Sequence, residues 1–374
     1  MLVPKLRFKK FKSEWNKIKL STIVTELNEK TNDINKYPLW SLTLEDGVTP
    51  KTERYERGFL VKKEDNFKIV HYNNFVYNPM NLRLGAIAYH REKMDISVSG
   101  YYNIFKIKNN CTIGFWDNYF KCPIMIKRYN NIATGSLVEK KRVHYSQFIE
   151  LSVPIPSEEE QIKISNLLIL LDKKIKLQQR KIETLKMYKR GLMKRILKSN
   201  NWNELTLKQC CNGFDNLRKP ITATQRKNGK IPYYGANGIQ DFVDDYIING
   251  EYILLAEDGG HFDEFMNKEI AQYILGKAWV NNHAHILQAK EGFNTKFIYY
   301  NLIHKDIRKY INGTSRSKLN QGDMWKINIK VPELTKQIEI AKILDSVDRI
   351  IIYENKKLSI LVNLKKGFLE RMFV

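Results

Sequence analysis

The nine residues PSEEEQIKI at 156–164 return in altered form as PELTKQIEI at 332–340. The two stretches are 176 positions apart, and the match continues at that offset without a gap for about forty residues. Identical pairs at this offset include Leu168 and Leu344, Asp172 and Asp348, Lys181 and Lys357, Leu185 and Leu361, Lys189 and Lys365, Gly191 and Gly367, and Arg195 and Arg371. A gap-free match of this length indicates that the chain is internally duplicated.

Both copies have the hydrophobic spacing of a long helix. Seven successive positions lie 4, 3, 4, 3, 4 and 3 residues apart, which is the 3.5-residue period of a coiled-coil seam. These positions are Ile164, Leu168, Leu171, Ile175, Gln178, Ile182 and Leu185 in the first copy, and Ile340, Leu344, Val347, Ile351, Glu354, Leu358 and Leu361 in the second. Each helix alone also suits an ordinary bundle, but the duplication favours pairing of the two as an antiparallel coiled coil.

The start and the middle of these helices carry further signals. Ser157 and Glu160 form a capping box at the start of the first helix. Roughly 40 residues at about 1.5 Å each predict rods about 60 Å long. The polar seam residues Gln178 and Glu354 lie near the middle, so in an antiparallel pair they would meet and fix the register.

A globular segment with short apolar runs and turn-forming residues precedes each helix. Trp15-Asn16 opens the first and Trp202-Asn203 opens the second, which repeats the duplication more weakly. Runs such as residues 251–255 predict short strands, and residues 295–312 predict a helix that ends at Gly313. We therefore predict an α+β fold with a pseudo-twofold internal repeat: a strand-rich domain at 1–156, a helix at 157–200, a second strand-rich domain at 201–331 and a second helix at 332–374.

The composition is that of a folded, basic protein. Of 374 residues, 43% are hydrophobic and 28% are charged, and the net charge of +23 favours a polyanionic partner. No apolar run approaches the roughly 20 residues of a membrane span, and the N-terminal segment lacks the apolar block of a secretory signal. The spacing of Cys111, Cys122, Cys210 and Cys211 indicates neither disulfides nor zinc, so we expect a reduced, cytoplasmic protein.

Three short motifs have catalytic potential, and none is complete. Residues 78–81, NPMN, are similar to the base-holding loop of amino-methyltransferases but lack its second proline and its aromatic residue, which favours a turn. His283 and His285 would lie on one face of a strand without a third ligand, which favours hydrogen-bonded or DNA-facing histidines over a metal site. Glu257-Asp258 lacks the partner residues of a nuclease and again favours a turn. We expect neither catalytic residues nor a metal site in this chain.

Clusters of Lys and Arg with Asn and Gln nearby suit contact with DNA, because the cations bind phosphates and Arg, Asn and Gln can bond base edges. A solvated basic turn is at least an equally good interpretation of any single cluster. In the first globular segment the candidates are Lys62, Lys63, Arg83, Lys140, Lys141 and Arg142. In the second they are Arg218, Lys219, Arg226, Lys227, Arg316, Lys318, Asn320 and Gln321.

The duplicated helices and the motifs around them resemble the specificity subunits of Type I restriction–modification enzymes. The first helix opens after Pro154-Ile155-Pro156 and closes with KRGLMKR at 189–195, and the second closes with KKGFLER at 365–371. The run GKIPYYGANGI at 229–239, with residues 257–260 and 282–285, is similar to a target-recognition domain of that family. The resemblance covers essentially the whole chain, although the start of the second helix lacks the capping box.

This resemblance implies a DNA-binding subunit with no catalytic residue and no cofactor of its own. Two target-recognition domains would each read half of a split site in double-stranded DNA, and the paired helices would fix the spacer between the halves. Two modification subunits would bind S-adenosylmethionine and methylate a flipped adenine, and restriction subunits with translocase and nuclease activity would join them. Two other interpretations stay open: a coiled-coil adaptor that binds proteins rather than DNA, and a self-contained methyltransferase or nuclease.

Overall fold

The structure, a computed structural model, describes residues 2–50, 66–108, 112–137, 140–198, 201–226, 229–313 and 317–374. The chain forms two compact units. Unit 1 comprises residues 1–179 and 356–374, and unit 2 comprises residues 180–355. Four of the predicted DNA contacts, Lys62, Lys63, Lys227 and Arg316, lie outside the described residues.

Unit 1 contains short strands around an aromatic core. Its strands are β1 Asn16–Lys19, β2 Val24–Leu27, β3 Lys30–Thr31, β4 Trp40–Thr43, β5 Gly47–Pro50, β6 Phe67–Val70, β7 Phe75–Tyr77, β8 Ile87–Tyr89, β9 Ile96–Ser99, β10 Asn103–Ile107 and β11 Ser152–Ile155. They form a sheet of order β2-β10-β7-β8, a sheet of order β3-β6-β9, and the pairs β4-β5 and β1-β11. Phe75, Phe105 and Phe120 pack together with ring centroids 5.3 to 5.8 Å apart, so this unit has a core of its own.

Helices cover this core and lead out of it. They are α1 Ile113–Tyr119, α2 Pro123–Ile132 and α3 Tyr145–Ile149, followed by the long helix α4 Glu158–Leu197. Both carboxylate oxygens of Glu160, near the start of α4, accept from Arg7 at 2.7 Å. This planar, two-bond pairing ties the N-terminal segment to the helix, a contact that the capping pattern at Glu160 did not indicate.

Unit 2 is organised around one larger sheet. Its strands are β12 Asn203–Thr206, β13 Cys211–Gly213, β14 Ile231–Gly235, β15 Gly238–Val243, β16 Ile248–Ala256, β17 Ala271–Val280, β18 Ala284–Ala289, β19 Ile311–Asn312, β20 Lys318–Leu319 and β21 Asn328–Val331. Six of them form a sheet of order β13-β18-β16-β17-β14-β15, and β12-β21 and β19-β20 form separate pairs. The helices are α5 Leu207–Cys210, α6 Thr295–Leu302, α7 Gln321–Met324 and the long helix α8 Leu334–Arg371.

The helix predicted for residues 295–312 is shorter than expected. It ends at Leu302, and Ile311–Asn312 belongs to a strand that pairs with β20. Ile303 and Ile307 are fully buried, although the α-helix has ended and only a short 3-10 helix, Arg308–Tyr310, follows Ile307. The apolar spacing therefore reflected a buried turn, which a periodic pattern does not distinguish from a helix.

Each unit is closed by pairing its first strand with its last. In unit 1, β1 pairs with β11 so that Asn16 faces Ile155, and in unit 2, β12 pairs with β21 so that Asn203 faces Val331. The last strand of each pair leads directly into α4 or α8. The Trp-Asn repeat in the sequence therefore marks the start of a structural repeat.

A buried glutamine holds the start of each long helix. Gln161 and Gln337 are 5% and 1% exposed, and their side-chain amides donate to the carbonyls of Pro156 at 3.1 Å and Pro332 at 2.9 Å. Gln337 also accepts from the backbone amide of Asn294, at 2.9 Å, and so connects α8 to the start of α6. The repeated Pro-to-Gln spacing is thus explained by the same local contact in both units.

The two long helices pair antiparallel, as predicted, and the evidence is present within each unit. In unit 2, Lys189 of α4 lies 2.7 Å from Asp348 of α8. In unit 1, Asp172 of α4 lies 2.5 Å from Lys365 of α8. A residue near the end of α4 thus contacts one near the start of α8, and an earlier residue of α4 contacts a later one of α8, as in an antiparallel pair. The two ion pairs are equivalent in the repeat, because their residues are related by the offset of 176.

The seam positions are all at least half-buried. Those classed as buried are Ile164, Leu168, Leu171, Ile182, Ile340, Leu344, Val347 and Glu354, and those half-buried are Ile175, Gln178, Leu185, Ile351, Leu358 and Leu361. The polar Glu354 binds Lys181 of α4 at 2.8 Å, while its contact with Gln178 stays a prediction. Among the described residues, no helix is long and apolar enough to cross a bilayer.

Candidate nucleic-acid interface

Three turns and one short strand of unit 2 meet where the central strands of its sheet begin and end. Strands β16 and β18 pair so that Ala256 faces Ala284, which brings the turn after Ala256 beside the turn before Ala284. Strand β20 lies against the first of these turns through a bridge between Asp258 and Lys318. The third turn, residues 215–217, is held by the amide of Ile286, which donates to the Asp215 carboxylate at 2.9 Å. Motifs far apart in sequence therefore form one surface.

A buried histidine lies beneath the centre of this surface. His285 is 1% exposed, its Nδ1 lies 2.6 Å from Asp215 Oδ2, and its Nε2 lies 2.9 Å from the carbonyl oxygen of Leu319. The carbonyl can only accept, so Nε2 carries a proton and donates it. His285 therefore joins the Asp215 turn to strand β20.

Cationic side chains surround the two carboxylates. Arg218 forms a close ion pair with Glu257 and lies 3.3 Å from Asp215, while Lys318 lies 3.1 Å from Glu257. Asp215 and Glu257 are only 10% and 12% exposed, so they require such partners. We call Asp215, Arg218, Glu257, His285 and Lys318 the charge cluster.

The charge cluster keeps both carboxylates ionised. Burial alone would raise the pKa of Asp215, but the hydrogen bond and charge of His285, the Ile286 amide and Arg218 outweigh it and lower that pKa below its ordinary value. Burial would likewise raise the pKa of Glu257. The hydrogen bonds and charges of Arg218, Lys318 and His285 outweigh burial, so the pKa of Glu257 is also lowered. The ion pairs thus favour the charged form of each acid.

These lowered pKa values predict acid sensitivity of unit 2. The stabilisation is fully present above the ordinary pKa values of about 3.9 and about 4.3, and it is lost as the pH falls through the lower folded-state values. Urea midpoints measured at about pH 7 and about pH 3 should differ more in the wild type than in Asp215→Asn, which has one fewer such carboxylate. An equal decrease of the urea midpoint in the wild type and in Asp215→Asn would contradict a lowered pKa of Asp215.

The same residues include a set of potential metal ligands. Ligand atoms of Asp215, Glu257 and His285 lie within 4.8 Å of one another. In the described arrangement, however, both ring nitrogens of His285 are hydrogen-bonded and Glu257 binds two cationic side chains. A metal ion would have to displace Arg218, so the geometry favours a structural ion-pair cluster.

The second histidine of the motif differs from the first. His283 precedes strand β18, is about one-third exposed and pairs closely with Asp258. The two imidazoles therefore do not share one strand face, because the strand begins only at Ala284. His283 lies at the edge of the surface, whereas His285 supports it from below.

The predicted DNA contacts of unit 2 have different surroundings. Arg218, Lys318 and Gln321 bind carboxylates of the charge cluster, and Gln321 donates to Asp215 at 3.1 Å. Lys219 lies over the ring of Trp279 at 5.9 Å, and Arg226 lies over Tyr233 at 4.4 Å and 3.3 Å from Asp241. Asn320 is exposed. Arg218, Lys318, Asn320 and Gln321 are therefore brought together, while Lys219 and Arg226 belong to other contacts.

In unit 1 the predicted contacts lie around a turn. Asn78 accepts from the amide of Met80 at 3.0 Å, which makes the NPMN motif a turn, and Val143 donates to the carbonyl of Pro79 at 2.9 Å. This brings residues 140–142 close to the turn that leads to Arg83. Arg142 lies 5.9 Å from the ring centroid of Tyr101, Arg83 binds Asn130, and Lys140 is exposed and Lys141 half-buried.

The comparison with known proteins agrees with this architecture. A family described as the Type I restriction modification DNA specificity domain matches residues 199–362. A putative type I restriction enzyme specificity subunit of Haemophilus influenzae is 39% identical over 157 residues, which are 42% of this chain and 40% of that protein. The EcoprrI specificity subunit of Escherichia coli is 26% identical over 117 residues, 31% of this chain and 28% of that protein. The aligned part is thus less than half of these curated relatives.

Solved structures extend the similarity to the whole fold. The S subunit of a Type I restriction–modification system from M. genitalium has a TM-score of 0.64 at 16% identity and covers 100% of this chain and 99% of its own. A chain from a structure of a type I restriction–modification complex has a TM-score of 0.57 at 11% identity, with coverage of 95% and 96%. Residues 199–362 thus match the model of the Type I restriction modification DNA specificity domain, and the fold of the whole chain is similar to that of the S subunit from M. genitalium.

Proposed function

We propose that this chain is the DNA specificity subunit of a Type I restriction–modification complex and reads a bipartite site in double-stranded DNA. The duplication carries the proposal: each of two strand-rich units ends in a strand that leads into one of two antiparallel helices. Two related units in one chain suit a site made of two half-sites. In this proposal the chain binds and positions DNA in the cytoplasm, and its partners supply the catalytic residues.

Charge supports a DNA ligand. The net charge of +23 favours a polyanion over an average protein surface. In unit 2, exposed Asn320 and partly exposed Lys318 lie in one short segment beside the turns of the charge cluster. Such a segment combines a cation for phosphates with an amide for base edges.

The long helices offer twin surfaces to partner subunits. Tyr188 of α4 and Leu364 of α8 are equivalent in the repeat and are 59% and 44% exposed. Three residues further on, a Cβ added to Gly191 or Gly367 would meet no described atom within 4 Å. A glycine inside a helix costs about 1 kcal/mol relative to alanine, so its repetition at open positions favours close approach of another molecule.

We assign these twin faces to two modification subunits. In the proposed complex these subunits bind S-adenosylmethionine and methylate adenine, and restriction subunits assemble with them. The duplicated faces support a partner that binds twice in equivalent ways, because each copy presents an aromatic or aliphatic side chain followed by the same glycine.

Lengthening the helices tests the proposed spacer. Insertion of seven residues into α4 and α8 at facing positions adds about 10 Å to the pair, which is close to three base pairs of about 3.4 Å. Mapping of methylated adenines in cells that carry the complete system should show the same two half-sites about three base pairs further apart. An unchanged spacer would contradict the proposal.

Salt dependence separates DNA binding from an adaptor role. The logarithm of affinity for a duplex should fall linearly with the logarithm of salt concentration, because Lys and Arg side chains release counterions from phosphates. A protein adaptor would bind the duplex weakly and without that slope. The assembled complex, tested on one duplex across a salt series, provides the comparison.

A further inference from the structure

The segment from Lys318 to Gln321 is fastened on both sides of one exposed residue. The fully buried Leu319 donates its amide to the carbonyl of Glu257 at 2.7 Å, and its carbonyl accepts from His285 at 2.9 Å. On the other side, the Gln321 side chain donates to Asp215 at 3.1 Å. The backbone of Asn320 is therefore held in place by the charge cluster.

The side chain of Asn320 is left unused by the fold. The backbone carbonyl of Asn320 accepts from the amides of Asp323 and Met324, at 3.0 and 2.9 Å, but its side chain does not cap helix α7. It is exposed and makes no hydrogen bond within the part of the chain that the structure describes. The side chain of an asparagine at the N-cap of a helix ordinarily accepts a hydrogen bond from a backbone amide in the first turn. The backbone of Asn320 is held in place, and its side-chain amide is exposed and available to a ligand.

An exposed carboxamide on a held backbone matches one base in particular. Its oxygen and nitrogen can bond the N6 donor and the N7 acceptor of adenine in the major groove at the same time. Lys318, 47% exposed and two residues earlier, is close enough in the chain to contact a neighbouring phosphate. Because the backbone is already ordered, binding would not have to immobilise the segment.

We propose that Asn320 reads an adenine in the half-site bound by unit 2, and that His285 and Asp215 are positioning residues that hold it. The inference rests on the proposed function and deepens it by naming a reading residue and its base. His285 does not contact DNA in this proposal. It acts through the carbonyl of Leu319, and Asp215 acts through Gln321.

Selection from randomised duplexes tests the reading residue. The complex assembled with its modification subunits is incubated with a duplex library randomised over the site, and bound DNA is sequenced. Asn320→Ala should lose preference for adenine at one position by about 5- to 150-fold and keep every other position. Asn355→Ala, which removes an exposed asparagine from α8, should select the wild-type sequence. Unchanged selection by Asn320→Ala would overturn the inference.

A double-mutant cycle tests the positioning role. His285→Gln should weaken selectivity at the same adenine in the wild-type background and have no further effect when Asn320 is already alanine. Equal losses in both backgrounds, or losses spread over many positions, would overturn it. If His285→Gln fails to fold, Gln321→Ala, at an exposed residue, takes its place in the cycle.

The wild-type arm separates this inference from the function on which it rests. A wild-type complex that selects no sequence would refute the proposed DNA-reading function. A wild-type complex that selects two half-sites, with the same selection by Asn320→Ala, would refute only the role of Asn320.

Discussion

Lys189→Met is expected to lower the free energy of unfolding of unit 2 by about 3 kcal/mol, since it leaves the carboxylate of Asp348, which is 24% exposed, without its ionic partner. Lys189 is 7% exposed and lies 2.7 Å from Asp348, whose other oxygen accepts from the hydroxyl of Tyr300 at 2.7 Å. Methionine keeps the length and packing of the lysine stem but removes the ammonium group. The tyrosine hydroxyl still stabilises the carboxylate, so we place the loss at the lower end of the usual range of about 3 to 5 kcal/mol.

The second copy of this ion pair is a matched control. Lys365 and Asp172 are 25% and 40% exposed, so water can replace the lost partner, and Lys365→Met should cost less than about 1 kcal/mol. Hydrogen exchange measured peptide by peptide would show about 100-fold faster opening of α6 in Lys189→Met. Little change is expected in unit 1 of Lys365→Met. Equal losses in the two units would show that burial does not decide the strength of the pair.

Gln337→Leu should destabilise unit 2 by about 3 kcal/mol. The substitution keeps the approximate shape of the side chain, but it leaves the Pro332 carbonyl and the Asn294 amide without their hydrogen bonds at a site that is 1% exposed. Each unsatisfied buried group costs about 1 to 3 kcal/mol. Calorimetry of the full chain should show the transition of unit 2 at a markedly lower temperature.

Gln161→Leu supplies the comparison in unit 1. Gln161 makes the equivalent bond to Pro156, but its side-chain oxygen has no hydrogen-bond partner among the described residues. Only one bond is lost and one unsatisfied oxygen is removed with it, so the cost should be about half that of Gln337→Leu. A loss in Gln161→Leu as large as in Gln337→Leu would contradict the role assigned to the Asn294 contact.

The architecture could be predicted because it depends on periodic and repeated features. Seam residues recur at helical spacing, and the match at one offset requires two similar units. The two ion pairs were not predicted, but the repetition of Asp172 and Lys189 explains why there are two, since in an antiparallel pair of similar helices a contact between two positions occurs twice. These inferences need no knowledge of how distant loops fold.

The candidate site was predicted only in part, because contacts between distant turns decide it. Arg218 and Lys318 were predicted as candidate DNA contacts, and the structure adds that both bind Glu257, a residue of another turn. No sequence spacing links these turns, which meet through the pairing of β16 with β18. His283 and His285 were predicted to lie on one strand face. The strand begins between them, at Ala284, and only His285 is buried. The only hint in the sequence was that acidic and basic residues occur in separate turn motifs.

The pairing of β1 with β11 and of β12 with β21 has an evolutionary consequence. Since each unit starts and finishes at one ladder of hydrogen bonds, its interior can grow, shrink or be exchanged by recombination while both attachment points stay fixed. Under the proposed function, a lineage could then acquire a new DNA target sequence in a single genetic event and retain its long helices. The interiors of the two units and the long helices could thereby evolve separately.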